Sequence, residues 1–344
     1  MKKIPITIKA IAEELKVSPS TVSRVLNGQA DQYRISKKTA ETIQEYAHQQ
    51  GFVPNQIARG LRLQKTNTIG LIIPDISNPF FAGIARSIEI ESRKKGYFLF
   101  LFDSREDTGL EKESIALLMS KKVDGLIVSP VGISGTHLLK LKQQHFPLVL
   151  IDRYFPEIDL PFIASDNSRG AFEATNYLIE KGHKAIACIQ GLPQAISNIQ
   201  RVQGFKEALE KAGIPFRNEM ITGTDFGVEN GYTQTKKLLK RTSVPSAIFA
   251  LGNMISLGVI KAIAEAGLKI PEDISLISFD EQPYSAFLST PMTTVAQDKE
   301  SLGKEAVNSL LENLSSQEYL NEKKLIPTRL IERASVKDIN LIRK

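Results

Sequence analysis

Apolar residues in the first fifty positions recur in short bursts at helical spacing. Ile8, Ile11, Ala12 and Leu15 form an i, i+3, i+4, i+7 stripe behind Thr7, a residue suited to cap a helix start. Lys16-Val17 turns directly into residues 18–28, where Ser18 suits the cap, Pro19 the first helical position and Gly28 a left-handed stop. Val22, Val25 and Leu26 share one face of this second helix. The opposite face carries Ser20, Thr21, Ser23 and Arg24, and is polar, short-armed and cationic. A third helix begins near Ser36, turns Ile43, Tyr46 and Ala47 inward and stops at Gly51. Two short amphipathic helices joined by so tight a turn predict a helix-turn-helix, whose second helix can enter a DNA major groove. After Pro54, residues 55–62 read as a helix too short to be stable alone, which Gly60 weakens by about 1 kcal/mol relative to Ala.

From Thr68 the rhythm becomes strand and helix in alternation. Strands are expected at 69–73, 97–102, 125–128 and 148–151, with helices at about 80–95, 110–121 and 136–144 between them, and Leu148 to Ile151 ends the run. The pattern restarts with helices at about 169–181, 198–212, 228–240 and 254–266, strands at 185–189, 220–221, 247–249, 274–278 and 293–295, and a last helix at about 299–314. Short apolar strands alternating with helices predict parallel sheets covered on both faces, and two runs predict two doubly wound α/β subdomains. Ligands of such sheets bind beyond the carboxyl ends of the strands, so the cleft between the subdomains is the expected site.

Charge sharpens this division. The net charge is +6, and residues 1–66 hold eleven Lys or Arg against five Asp or Glu, while the 33 basic and 33 acidic residues that follow cancel. The surplus lies entirely in the helical segment, as a folded nucleic-acid module requires. No apolar run approaches the roughly 20 residues of a membrane span. The basic start has no continuous apolar core or small-residue cleavage site, so a cytoplasmic protein is expected. The lone Cys188 lies in an apolar run and reads as core, and His48, His137, His145 and His183 show no metal-ligand spacing, so neither metal nor cofactor is expected.

Several local motifs occur in one order along the chain. They are Thr7 to Ala12, Val17 to Gly28, Pro54-Asn55 with Ala58-Arg59 and Leu61-Arg62, Pro74-Asp75 to Asn78-Pro-Phe-Phe81, Asp166-Asn167 with Gly170, Gly182-His183, Arg201 with Gly204-Phe205, Pro271 to Ile274, Phe279-Asp280 and Pro291 to Val295. In this order they resemble the lactose-repressor (LacI/GalR) family of transcription regulators over nearly the whole chain. The resemblance implies an all-α helix-turn-helix headpiece at 1–52 and a hinge helix and linker at 53–66. It implies a periplasmic-binding-protein-like core at 67–334, its first subdomain formed by about 67–165 plus 296–327 and its second by about 166–295, with a tail at 335–344. It assigns DNA contacts to Thr7, Ser18, Pro19, Ser20, Thr21, Ser23, Arg24 and Asn27, and to Asn55, Ala58 and Leu61 in the hinge. Leu61 would act as an apolar wedge that unstacks a minor-groove base step. Arg24 can donate two hydrogen bonds to guanine or pair with a phosphate. Effector contacts fall on Phe80 or Phe81, Asp166, Ser197, Arg201, Phe226 and Asp280, where carboxylates and a guanidinium can hold neighbouring hydroxyls and an aromatic face can pack on a sugar ring. Arg153, after the strand at 148–151, also lies within reach of that ligand. Asp166 can equally serve as a helix cap.

The chain departs from the family at four positions. Gly252-Asn253 stands where Asn-Asp is common, Asn176 where His is common, and Lys16 where Gly is common. The function expected is a ligand-responsive repressor, bound as a homodimer to a near-palindromic double-stranded operator and controlled by a sugar or sugar derivative. A small-molecule binding protein without DNA regulation is the alternative. An enzyme is disfavoured: there is no Gly-x-Gly-x-x-Gly after a strand, no Gly-x-x-x-x-Gly-Lys-Ser/Thr, no Gly-x-Ser-x-Gly and no paired His cluster.

Overall fold

The computed structural model describes residues 6–52, 65–215, 217–316 and 319–343. The chain divides into two compact units, residues 1–66 and 67–344.

In the first unit three helices, α1 (Ile8–Glu14), α2 (Pro19–Leu26) and α3 (Lys37–Gln49), enclose Ile11, Ala12, Val22, Val25, Ile43 and Ala47. Each helix starts at a hydroxyl cap. Thr7 Oγ1 accepts from the Ala10 N–H at 3.2 Å, Ser18 Oγ from Thr21 at 3.1 Å and Ser36 Oγ from Thr39 at 3.1 Å. Such caps stabilise a short helix by about 1 kcal/mol each. Lys16 makes the turn into α2 with φ 54, left-handed backbone that a Gly would adopt freely, and Gly28 ends α2 with φ 71. Leu26 and Tyr46, expected inward, are only half-buried at the rim of this core. The hinge helix, with Asn55, Ala58 and Leu61, lies outside the described residues.

The second unit holds two six-stranded sheets. The first has strand order β11-β5-β4-β3-β1-β2, all parallel, built from β1 (Thr68–Ile73), β2 (Phe98–Asp103), β3 (Gly125–Val128), β4 (Leu148–Ile151), β5 (Phe162–Ser165) and β11 (Lys323–Ile326). Its helices are α4 (Pro79–Lys94), α5 (Thr108–Ser120), α6 (Thr136–Gln143) and α11 (Lys299–Ser315), with α11 packed against α4. The second has order β12-β10-β9-β8-β6-β7, from β6 (Ile186–Ile189), β7 (Ile221–Thr222), β8 (Ala247–Ala250), β9 (Ser275–Phe279), β10 (Thr293–Gln297) and β12 (Thr328–Ile331). It is parallel except for the antiparallel β10–β12 pair. Around it lie α7 (Asn167–Glu180), α8 (Ile196–Lys211), α9 (Val228–Leu239) and α10 (Asn253–Glu265). No helix among the described residues is long and apolar enough to cross a membrane.

The first run of strands does not end at β4. β5 follows it and separates it from β11, a strand laid down some 160 residues later. The chain passes between the sheets three times: after β5, after β10 into α11, and at Pro327 between β11 and β12. Nor do residues 335–340 trail away from the core. Ser335 Oγ accepts from the Thr293 N–H at 2.8 Å and donates to the Leu276 carbonyl at 2.6 Å, and Val336 packs on the second sheet's core. A buried hydroxyl with both bonds made stitches this segment along the sheet.

Two helices that frame the site approach each other unusually closely. A Cβ on Gly231 of α9 would lie 2.0 Å from the Ile255 carbonyl oxygen, and one on Gly258 of α10 would lie 2.0 Å from the Val228 oxygen. Only glycine fits there, and the crossing lies within the first two turns of both helices.

Candidate functional site

The carboxyl ends of both sheets open onto a shared cavity of about 310 Å3. From the first sheet, the turn after β1 supplies Asp75 and Asn78 and the start of α4 Phe80 and Phe81, the turn after β2 supplies Glu106, and the residues just past β4 are Asp152 and Arg153. From the second come Leu192, Ser197 and Arg201 at the start of α8, Asp225 to Gly227 before α9, Asn253 and Met254 opening α10, and Asp280 after β9. Of the residues expected in the cleft, Phe80, Phe81, Arg153, Ser197, Arg201, Phe226 and Asp280 all line it. Asp166 does not: its carboxylate caps α7 by accepting from the Arg169 N–H at 3.0 Å. An acid just before a helix satisfies either use, and here the open N–H groups of α7 claim it.

The cavity's polar groups are tightly organised. Arg153 donates from both terminal nitrogens to Glu106, at 2.7 and 2.8 Å, and its guanidinium stands 5.7 Å from the Phe81 ring centre and 5.4 Å from that of Phe226. Burial opposes its charge, but the bonds to Glu106 outweigh burial and hold its pKa above the ordinary arginine value. Arg201 donates to Asn167 Oδ1 at 2.8 Å and to the Leu251 carbonyl at 2.9 Å, lies over the Phe279 ring at 3.8 Å from its centre, and reaches to 4.0 Å from Asp280. Its pKa is lowered by burial, against which Asp280 and Asp152 act. Asp280 also accepts from Gln297. Burial pushes Asp152 up to about 6, against the pull of Arg153 and Arg201. Asp152 and Asp280 sit at matching places, each just past a central strand and each in left-handed backbone, at φ 64 and φ 74. Strain of this kind costs about 1–3 kcal/mol per residue and collects where side chains must be aimed.

Direct bonds join the two subdomains at and beside the cavity. Asn253 Nδ2 donates to Asn78 Oδ1 at 3.0 Å, and Gln200 Nε2 to the Tyr154 hydroxyl at 2.8 Å. The first explains one departure at the cleft, because an aspartate at 253 would have no N–H to give. Gly191 leaves the space that the Phe226 ring fills, 2.2 Å from where its Cβ would stand.

In the first unit, Thr7, Ser18, Pro19 and Ser20 are exposed, while Thr21, Ser23, Arg24 and Asn27 are half-buried. Ser18 Oγ also bonds the Ser20 and Thr21 hydroxyls, at 2.7 and 2.8 Å. Asn27 Nδ2 donates to the Ser23 carbonyl at 2.6 Å. Arg24 lies 3.9 Å over the Tyr33 ring, which orients its guanidinium beside the exposed face of α2.

Residues 7–55 match the model of bacterial regulatory proteins of the lacI family, and residues 175–336 match the periplasmic binding protein-like domain. The transcriptional repressor CytR of Escherichia coli K12 is 33% identical over 331 residues, 96% of each chain. The transcriptional regulator DegA of Bacillus subtilis is 33% identical over 338 residues, 97% of this chain and 99% of that protein. The chain belongs to the LacI family. The lac repressor dimer bound to operator and an anti-inducer superposes with a TM-score of 0.87 at 25% identity, over 97% of this chain and all of that one. A LacI-family regulator from Enterococcus faecium with bound ribose gives 0.71 at 30% identity, over 79% and 99%. As a LacI-family protein the chain is a ligand-responsive, DNA-binding transcription regulator, with relatives named as repressors and regulators rather than enzymes.

Six polar residues of this LacI-family cavity were not among the effector contacts expected from the sequence: Asp75, Asn78, Glu106, Asp152, Asp225 and Asn253. Asn78, Glu106 and Asp152 follow strand ends, the one signal that could have flagged them. Glu106 stands 47 residues from the arginine that it holds, and no local pattern pairs the two.

Proposed function

We propose that this regulator is a repressor that binds a near-palindromic operator as a homodimer and changes its DNA affinity when a sugar or sugar derivative occupies the cavity between its sheets. The observation that carries the reading is the cavity itself: polar groups from both sheets converge on one cleft, so a ligand there touches both subdomains and biases the angle between them. DNA reading is assigned to the exposed start of α2, with Pro19 and Ser20 leading and Arg24 beside them, and to Asn55, Ala58 and Leu61. The bound ribose of the Enterococcus faecium relative supports a sugar-sized occupant, and the cavity volume lies at the small end of ligand sites. The match over residues 7–55 favours this reading over a binding protein without DNA regulation.

The test is to select high-affinity duplexes from a random pool with the full chain, then to titrate the selected duplex with and without each member of a sugar panel. A two-fold-symmetric consensus, and at least one sugar that changes its affinity about tenfold or more, is the expected result for coupling of 1–3 kcal/mol. An asymmetric site, or DNA affinity indifferent to every sugar that binds, would overturn it.

A further inference from the structure

Charge narrows what the cavity can hold. Asp75, Glu106, Asp152, Asp225 and Asp280 line it against only two guanidiniums, those of Arg153 and Arg201. Neither guanidinium presents an open fork. Both terminal nitrogens of Arg153 are bonded to Glu106, and Arg201 is held by Asn167, the Leu251 carbonyl and the neighbouring Asp280. A phosphate or carboxylate ligand is recognised through such forks, and here it would enter a wall already rich in carboxylates. Like charges placed together in this way cost several kcal/mol of discrimination.

The groups left unsatisfied are of another kind. Asp152 and Arg153 are 3% and 6% exposed, and among the described residues Asp152 Oδ1 and Arg153 Nε have no hydrogen-bond partner, Nε standing 3.8 Å from Asp152 Oδ2. One is an acceptor and the other a donor, on adjacent residues of the lining. Hydroxyls satisfy both, since each donates and accepts. An ammonium would satisfy only the carboxylate and would leave the guanidinium N–H facing a cation. An anion would satisfy only the guanidinium.

Resting on the reading of this cavity as the effector site, we infer that it selects an uncharged polyhydroxylated ligand, with hydroxyls on Asp152 and Arg153, and excludes phosphorylated sugars and sugar acids.

Calorimetric titration of the full chain at pH 7.5 with matched probes tests this: D-ribose against D-ribose 5-phosphate, and D-glucose against D-glucose 6-phosphate, D-gluconate and D-glucosamine. At least one neutral sugar is expected to bind, with its charged counterparts weaker by about 100-fold or more. A phosphate, acid or amine that binds as tightly as its neutral parent overturns the inference and leaves the sugar site standing. No binding in any arm overturns the sugar reading, and the inference falls with it. Glu106→Gln, which takes a carboxylate out of the wall and leaves Arg153 a single acceptor, freeing one terminal nitrogen, should narrow the gap between a sugar and its phosphate about tenfold. A gap that stays as wide shows that charge is not the selector and overturns the inference. The wild-type comparison decides alone should that variant fold poorly.

Discussion

Asp152 is held at the end of β4 in left-handed backbone, buried, with one carboxylate oxygen unbonded. Its pKa, raised by burial to about 6, lies above that of an unfolded aspartate. Between about pH 4 and 6 the folded chain therefore keeps a proton that the unfolded chain has lost, and folding stability declines as pH rises through that window. Asp152→Asn removes this penalty. Urea unfolding of both proteins should show the variant gaining on the wild type from pH 4 to about 6.5 and holding its advantage above, while its affinity for a neutral sugar falls. A stability difference independent of pH would contradict the assignment. At this scale the sequence revealed residues whose meaning is local, such as the caps Thr7 and Ser18 and the strand-end Arg153. It concealed those whose meaning is relational. Asp166 was ambiguous because capping and ligand binding call for the same residue type, and Asn253 became legible only once Asn78 stood opposite it.

Among the elements, the α9–α10 crossing ties backbone packing to the cavity most directly. Phe226 and Gly227 lead into α9, and Asn253 and Met254 open α10, so whatever separates the two helices moves one wall of the site. Gly258→Ala should destabilise the second unit by about 1–3 kcal/mol through overpacking and weaken ligand binding as well, read by thermal unfolding and calorimetry. Gly267→Ala, at a left-handed helix end with open space around it, should cost stability and leave affinity alone. Equal losses of affinity in both variants would sever the crossing from the site. Helices with a continuous apolar stripe were readable to within a few residues. β5, β11 and β12 were not, because four residues carry little pattern of their own. Lys323–Ile326 and Thr328–Ile331 become strands because of partners far away in the chain.

On the scale of the whole molecule, β2 forms one edge of the first sheet with Phe98 63%, Phe100 45% and Leu101 37% exposed. An apolar sheet edge of this kind invites a partner, and the proposed homodimer supplies one. Phe100→Glu should shift the full chain toward monomer in sedimentation and weaken operator binding, while calorimetry with a neutral sugar changes little. A variant that stays dimeric would move the interface elsewhere. The alternation of strand and helix made the two-sheet plan legible in the sequence, the passages after about 165 and 295 came only with the family resemblance, and the last, between β11 and β12, came with neither. That passage also sets a timetable for synthesis. The first sheet lacks its outer strand until residue 326 has emerged from the ribosome, and the second lacks its own until residue 331, only a few residues later. Both lobes of the sensor thus reach completion almost together, near the end of translation. A prematurely terminated chain would expose two unfinished sheet edges rather than one working half, which makes it material for proteolysis instead of a regulator deaf to its ligand.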